Sequence, residues 1–258
     1  MFLEKVAEIK RKEITKRKPL FPMKEMEEMV SRLPPPRDFM EAISHHAPMA
    51  LIAEIKRSSP SAGVLKDDVD LHRIASAYET GGACAISVLT ETHFFKGKLS
   101  HLIQVKEGTS LPLLQKDFIL DPFQIYEGRV LGADAILLIA SLLDREELRD
   151  FVGLARSIQL VPLVEVHNES DLEKTSTLDL SLMGINNRDL KTLEVDLKTT
   201  LRLKKEIPHG MKVISESGIR SSGDVRLLRE AGVDGILVGE VLMRSSDPTS
   251  KIRELLGR

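Results

Sequence analysis

The chain has 258 residues, with 37 Lys and Arg against 39 Asp and Glu, 42% hydrophobic residues and one cysteine. A net charge of −2 and a pI near 6.4 argue against a nucleic-acid surface, which asks for a basic domain. Cys84 alone forms neither an internal disulfide nor a multi-cysteine metal site and suits a reducing cytoplasm, and no apolar run approaches the roughly 20 residues that span a bilayer.

Residues 1–18 carry seven basic and three acidic residues. Phe2, Leu3, Val6 and Ile9 fall at helical spacing, which predicts an amphipathic helix. Glu4, Glu8 and Glu13 are out of place in a transit peptide, and there is no apolar core of a secretory signal. A second helix is expected from about Lys24 to Leu33, between the stiff turns PLFP and PPPRDF, because proline cannot continue a helix. Residues 1–47 therefore read as a helical extension too short to bury its own core, and residues 48–258 as the main domain.

From Ala50 onward, short apolar runs alternate with charged stretches of helical period, the pattern of βα units around a parallel sheet. YETGGACAISVL, GRVLGADAILLIA and LREAGVDGILVG each end a helix on glycine and enter a strand; Gly82, Gly132 and Gly232 lie 50 and 100 residues apart. The missing member falls near residue 182, where LSLMGIN supplies a strand without the glycine. Four further strands lie between them: LIAEIK (51–56), LPLLQK (111–116), LVPLVEV (160–166) and MKVISES (211–217). Helix starts are expected at Asp121 before Pro122, at Asp144 with Glu147, and at Ser221 or Ser222. Eight such units predict a (β/α)8 TIM barrel with an N-terminal helical extension. An open doubly wound sheet would show a Gly-rich nucleotide loop after its first strand, and none is present.

The odd strands end in ionisable residues: Glu54 and Lys56, Lys116, Glu165 and Glu216, with separations of 60, 49 and 51 from Lys56 onward. Side chains two apart on a strand share a face, so these groups are expected to meet at the C-terminal mouth of the barrel. Burying unpaired charges costs several kcal/mol per ion, in order of magnitude. Two readings result: a salt-bridge ring closing the barrel, or an active site. The even strands add Asn186 and Arg188, then Gly218 and Gly239 near the usual phosphate site of such barrels, with Ser59 and Ser61 after the first strand. A phosphate monoester is the expected substrate class. The seven histidines show no ligand spacing, so neither a metal nor a redox cofactor is expected.

LIAEIKRSSPSAG resembles the signature segment of the indole-3-glycerol phosphate synthase family, with Glu54, Lys56 and Ser58-Ser59-Pro60 in its order. The likeness continues through SVLTETHFFKG, LLQKDF, LGADAILLI, LVEVH, GINNRDL, ISESGI and LVGEVLMR, from about residue 48 to 245. It implies a carboxy-lyase that closes the ring of 1-(2-carboxyphenylamino)-1-deoxyribulose 5-phosphate to indole-3-glycerol phosphate, losing carbon dioxide and water. By that resemblance Lys116 is the general acid, Lys56 pairs with the substrate carboxylate and serves as a second acid, and Glu165 is the base. Glu54 and Asn186 orient the lysines and hydroxyls, while Glu216 and Ser217 hold the polyol. Ser59, Gly218, Gly239 and the backbone of Glu240 grip the phosphate, and Arg188 lines the site. The Glu240 charge has to point away from phosphate. Phe95, Phe118, Leu137, Ile139 and Leu190 fall where the family holds the anthranilate ring. Both lysines are expected to have lowered pKa values, through desolvation and mutual repulsion.

A retaining glycosidase would use Glu165 and Glu216 but leave the lysines idle, and the absence of Trp argues against sugar stacking. A Schiff-base aldolase would use Lys116 or Lys56 as nucleophile. A phosphate-binding barrel without catalysis would tolerate loss of a charged position, whereas the full set is present. The expected partner is a phosphorylated small molecule, with no nucleic acid and no membrane, and the chain is read as a monomer rather than a homo-oligomer in the cytoplasm.

Overall fold

The computed structural model describes residues 2–61, 63–66 and 69–258. Its eight main strands are β1 (Ala50–Ile55), β2 (Ala85–Leu89), β3 (Leu113–Lys116), β4 (Ala135–Ile139), β5 (Val161–Val166), β6 (Leu182–Asn186), β7 (Lys212–Glu216) and β8 (Gly235–Val238). Each pairs in parallel with the next, and β8 returns to β1 with Ala50 opposite Gly235 and Ala53 opposite Val238. The result is the predicted closed (β/α)8 barrel.

Strand alternation divides the core in two. One set, including Leu51, Ile86, Leu138, Val164 and Ile236, packs outward against the helices. The other, including Ile52, Leu114, Leu137, Leu163, Ile214 and Leu237, fills the barrel interior. Because Glu54, Lys116, Glu165 and Glu216 have the parity of the interior set, the fold carries them to the upper end of a packed apolar plug rather than onto the helix-facing side.

The surrounding helices are α4 (Leu71–Gly81), α5 (Ser100–Glu107), α6 (Pro122–Val130), α7 (Arg145–Ser157), α8 (Glu169–Thr175), α9 (Lys198–Leu203), α10 (Ser222–Glu230), α11 (Glu240–Arg244) and α12 (Pro248–Leu256), preceded by α1 (Phe2–Arg17), α2 (Met23–Arg32) and α3 (Phe39–His45). Their starts are chemically marked. The Asp121 side chain accepts the Phe123 N–H at the proline-led start of α6, and Asp144 with Glu147 closes a capping box on α7. Ser221, not Ser222, caps α10, with Asp224 completing the box. Gly82, Gly132 and Gly232 adopt φ of 98°, 99° and 77°, the left-handed turn expected between helix and strand.

Two small elements depart from the sequence reading. After PPPR, Asp38 accepts the Glu41 N–H and starts α3, a third N-terminal helix that the sequence reading did not include. Seven residues are too few for periodicity to reveal. After β1, Ser58–Ser59 pairs with Gly63–Val64 as a short antiparallel hairpin, with Ser58 Oγ donating to the Gly63 carbonyl at 3.0 Å.

The N-terminal helices run from one end of the barrel to the other. Lys10 of α1 reaches Asp117, just beyond the C-terminal end of β3. Helix α2 packs against α6, and Phe39 and Ile43 of α3 join the interior cluster containing Ala50, Ile52 and Ala85. Arg37, just ahead of α3, donates its N–H to Asp134 and its guanidinium to the Leu111 carbonyl, at the lower ends of β4 and β3.

Candidate active site

A cavity of about 360 Å³ opens at the C-terminal ends of the strands. All seventeen residues to which the resemblance gives a site role line it. At its base Lys116, on β3, lies between the carboxylates of Glu165 on β5 and Glu216 on β7: Nζ is 2.8 Å from Glu165 Oε2 and pairs with Glu216 Oε2. Lys56, one residue past β1, lies 2.8 Å from Glu54 Oε1. The two lysines are thus in separate ion pairs within the same cavity.

This pairing reverses one sequence expectation. Desolvation alone pulls the Lys116 ammonium down, but attraction by Glu165, Glu216 and Glu54 outweighs it, and its pKa lies above the ordinary lysine value. The expected lowering counted burial and the other lysine but not three facing carboxylates. The carboxylates diverge as well. Burial raises Glu165, yet Lys116 and His167 hold it below the usual range. Glu216 is pushed up to about 7 by burial, which the pull of Lys116 only partly offsets against the repulsion of Glu165 and Glu54.

Two interior glycines make room for these carboxylates. A Cβ on Gly184 of β6 would collide with Glu216 Oε1, and one on Gly239 with Glu54 Oε1. Gly239, expected as a point of close backbone approach to a ligand, therefore also vacates space for Glu54. The strand-7 exit is held by Asn187, whose Nδ2 donates to Ser215 Oγ and to the carbonyls of Glu216 and Ser217 at 2.9–3.0 Å. Beyond it Ser217 and Gly218 take φ of 66° and 83°; a side chain at Gly218 would also meet Val195 Cγ1 at 2.7 Å.

The upper rim combines anion-binding features. Ser59 is 8% exposed in the hairpin after β1. Gly239 starts the short helix α11, whose first amides carry no side-chain cap. The Glu240 carboxylate pairs with Arg244 at 3.1 Å. Asn186 Oδ1 accepts the Arg188 N–H, and the Arg188 guanidinium donates to the Leu193 carbonyl. Arg220 and Arg244 add positive charge to the lining.

Opposite lies an apolar wall of Phe95, Phe118, Leu137, Ile139 and Leu190. The Phe95 and Phe118 rings are tilted at 42° with centroids 6.3 Å apart. The buried Glu91 carboxylate orders the Phe95 loop by accepting the N–H groups of His93, Phe94 and Phe95 at 2.7–3.0 Å.

Sequence reasoning missed His167, Asn187 and Lys10. His167 Nε2 lies 3.1 Å from Glu165 Oε1. The signal was available: His167 is two residues beyond Glu165, the same spacing that joins Glu54 to Lys56.

Comparison with known proteins points to one family. The family model described as indole-3-glycerol phosphate synthase matches residues 3–255. An indole-3-glycerol phosphate synthase of Desulforamulus reducens is 44% identical over 257 residues, covering 99% of this chain and 97% of the relative. One from Acetivibrio thermocellus is 48% identical over 219 residues, covering 85% and 84%. Among solved structures, KGPDC from Streptococcus mutans superimposes with a TM-score of 0.63 at 16% identity, over 81% of this chain and 96% of that one, which speaks for the barrel alone. With a family match over nearly its whole length and relatives of this identity, the chain belongs to the indole-3-glycerol phosphate synthase family.

Proposed function

We propose that Lys116, Lys56 and Glu165 perform the acid–base work of the family's reaction, the decarboxylating and dehydrating ring closure of 1-(2-carboxyphenylamino)-1-deoxyribulose 5-phosphate. The observation that carries this is an ammonium group at the cavity base, between two carboxylates, with an apolar wall on one side and an anion-binding rim on the other. The substrate has the same three parts: a reacting ketone and amine, an aromatic ring and a phosphate. Phe95, Phe118, Leu137 and Leu190 would take the ring, and Ser59, Gly218, Gly239 and the Glu240 amide the phosphate, with Arg188 beside it.

In the first step the ring carbon bearing the carboxylate bonds to the ketone carbon while Lys116 gives its proton to the ketone oxygen. The carboxylate then leaves as carbon dioxide, its bonding pair restoring the aromatic ring. In the last step the new hydroxyl departs as water with a proton from a lysine, and a proton lost from the adjacent carbon passes to Glu165, leaving the indole double bond. Lys56, paired with Glu54, faces the substrate carboxylate and supplies the second acid. Glu216 and Ser217 hold the polyol, and Glu54 and Asn186 orient the lysine and hydroxyl groups.

A lysine held fully charged by carboxylates is a poor nucleophile, because Schiff-base formation needs the neutral amine. Proton donation is the use its surroundings favour. Binding lowers that barrier where substrate hydroxyls draw Glu216 away from Nζ, removing attraction for the charged form.

Residues 1–47 are taken as an extension of the barrel at 48–258. The chain is taken as a monomeric cytoplasmic enzyme that uses neither nucleic acid nor membrane. Its lone Cys84 is buried, with a thiol pushed up to about 12 by desolvation, and no helix among the described residues is long and apolar enough to cross a membrane. Fluorescence detection of the indole product tests the activity. Lys116→Met is expected to lower kcat by at least ~100-fold, the lower end for loss of a general acid, while a phosphate-monoester ligand still binds. Wild-type-like turnover in that variant would remove Lys116 from the mechanism.

A further inference from the structure

We propose that His167 is a positioning residue for this reaction: an imidazolium clamped between Asp171 and Glu165, fixing the Glu165 carboxylate across the mouth with one oxygen on each of two cations. The inference rests on the reading of Glu165 as the base.

Both ring nitrogens lie at ion-pair distance from a carboxylate, without the alignment of a hydrogen bond. His167 follows β5, and its side chain is 7% exposed. Nε2 lies 3.1 Å from Glu165 Oε1, and Nδ1 lies 3.4 Å from Asp171 Oδ2. A charged imidazolium is attracted by both carboxylates, whereas a neutral ring carries no charge to hold either. Asp171 is itself anchored in the first turn of α8. Its Oδ2 accepts the His167 backbone N–H at 3.1 Å and Asn168 Nδ2 at 3.4 Å, while Asn168 Oδ1 caps the Asp171 N–H at 2.9 Å.

The clamp reaches the reaction only through Glu165. Glu165 lines the substrate cavity and His167 does not. Asp171 faces a separate groove that includes Leu3, Ala7 and Arg11 of α1. The charged groups around the imidazole are Glu165 on its own segment, Asp171 on α8 and Asp189 in the loop after β6, with Lys116 beyond Glu165. Burial pushes the imidazole down, but Asp171 and Glu165 outweigh it and raise its pKa to about 9. Glu165 Oε1 is thereby held by His167 while Oε2 meets Lys116 at 2.8 Å. Without the imidazolium the carboxylate is free to turn wholly onto Lys116, which strengthens that ion pair and weakens both the acid and the base.

The test compares wild type, His167→Gln and Asp171→Asn as full chains, by indole fluorescence across pH 6–10 with thermal melts alongside. His167→Gln is expected to lower kcat by about 10- to 100-fold, the scale of a misplaced catalytic group, with little change in KM. The wild-type alkaline limb near pH 9 should vanish, because the group that titrates there is gone. Asp171→Asn should move the alkaline limb to lower pH, and it decides the matter if His167→Gln does not fold. A His167→Gln profile that superimposes on wild type overturns the proposal, as does a loss of melting temperature and rate with the alkaline limb unmoved. No product from wild type would instead overturn the reading of Glu165 and Lys116 on which the clamp depends.

Discussion

Glu165 and Glu216 offer the same carboxylate to the same ammonium group and emerge with opposite proton affinities. Glu165 has a second cation in His167, whereas Glu216 has Lys116 alone and faces the charges of Glu165 and Glu54. Its folded-state pKa, about 7, lies above the ordinary 4.5, so ionising Glu216 costs more in the folded than in the unfolded chain. The associated stability is fully present below pH 4.5 and is lost as pH rises to 7. Glu216→Gln should therefore melt higher than wild type at pH 8, with the difference closing toward pH 5. Equal melting at pH 8 would show that Lys116 fully compensates the buried charge. This contrast was only half legible in the sequence. Strand parity puts Glu54 with Lys56 and lines up the other charges, because alternation is local. How many carboxylates face each lysine is set by cross-barrel distances, so the direction of the Lys116 shift was misjudged. His167 escaped because histidines were weighed for metal-ligand spacing rather than for their parity with Glu165.

At the level of strands and helices, what was legible had a chemical mark within a few residues. The caps at Asp121, Asp144 and Ser221 and the left-handed glycines follow from local hydrogen bonding and steric freedom. Helix α3 and the Ser58–Val64 hairpin lacked enough residues to show a period. Strand β6 was legible as a strand, but the need for glycine at 184 was not, since it arises from a side chain on β7. Gly184 lies opposite Glu165 in register, and an added methyl there would strike Glu216 Oε1. Gly184→Ala should retain the barrel, because the colliding atom is the end of a side chain rather than backbone. The carboxylate has to leave its pairing with Lys116, so KM should rise and kcat fall while circular dichroism stays unchanged. An alanine variant with wild-type kinetics would show that the Glu216 position is not needed for polyol binding.

Across the whole molecule, the N-terminal extension is joined to the catalytic rim by buried charge. Lys10 on α1 is 2% exposed, and its Nζ lies 2.9 Å from both Asp117 Oδ1 and Glu13 Oε2. Desolvation lowers this ammonium, but attraction by Asp117 and Glu13 prevails and its pKa is raised. Asp117 stands between Lys116 and Phe118; it also accepts Thr90 Oγ1 at 2.5 Å and the Phe118 N–H at 2.8 Å. Glu13 extends the link to the β2 loop, accepting Thr92 Oγ1 at 2.7 Å and lying 3.0 Å from His93 Nε2. One helix thus fastens the two segments that carry Phe95 and Phe118, the paired rings of the apolar wall. Lys10→Met keeps most of the buried volume and removes only the cation, leaving Asp117 charged and unpaired. Breaking one side of a buried pair costs about 3–5 kcal/mol, so the variant should be destabilised on that scale in urea and should bind substrate less well. Adding Asp117→Asn removes the stranded charge and should recover part of the stability, giving a large coupling energy in the double-mutant cycle. Additive losses would mean that the ion pair does not join the extension to the barrel, and that α1 is held by its apolar face alone.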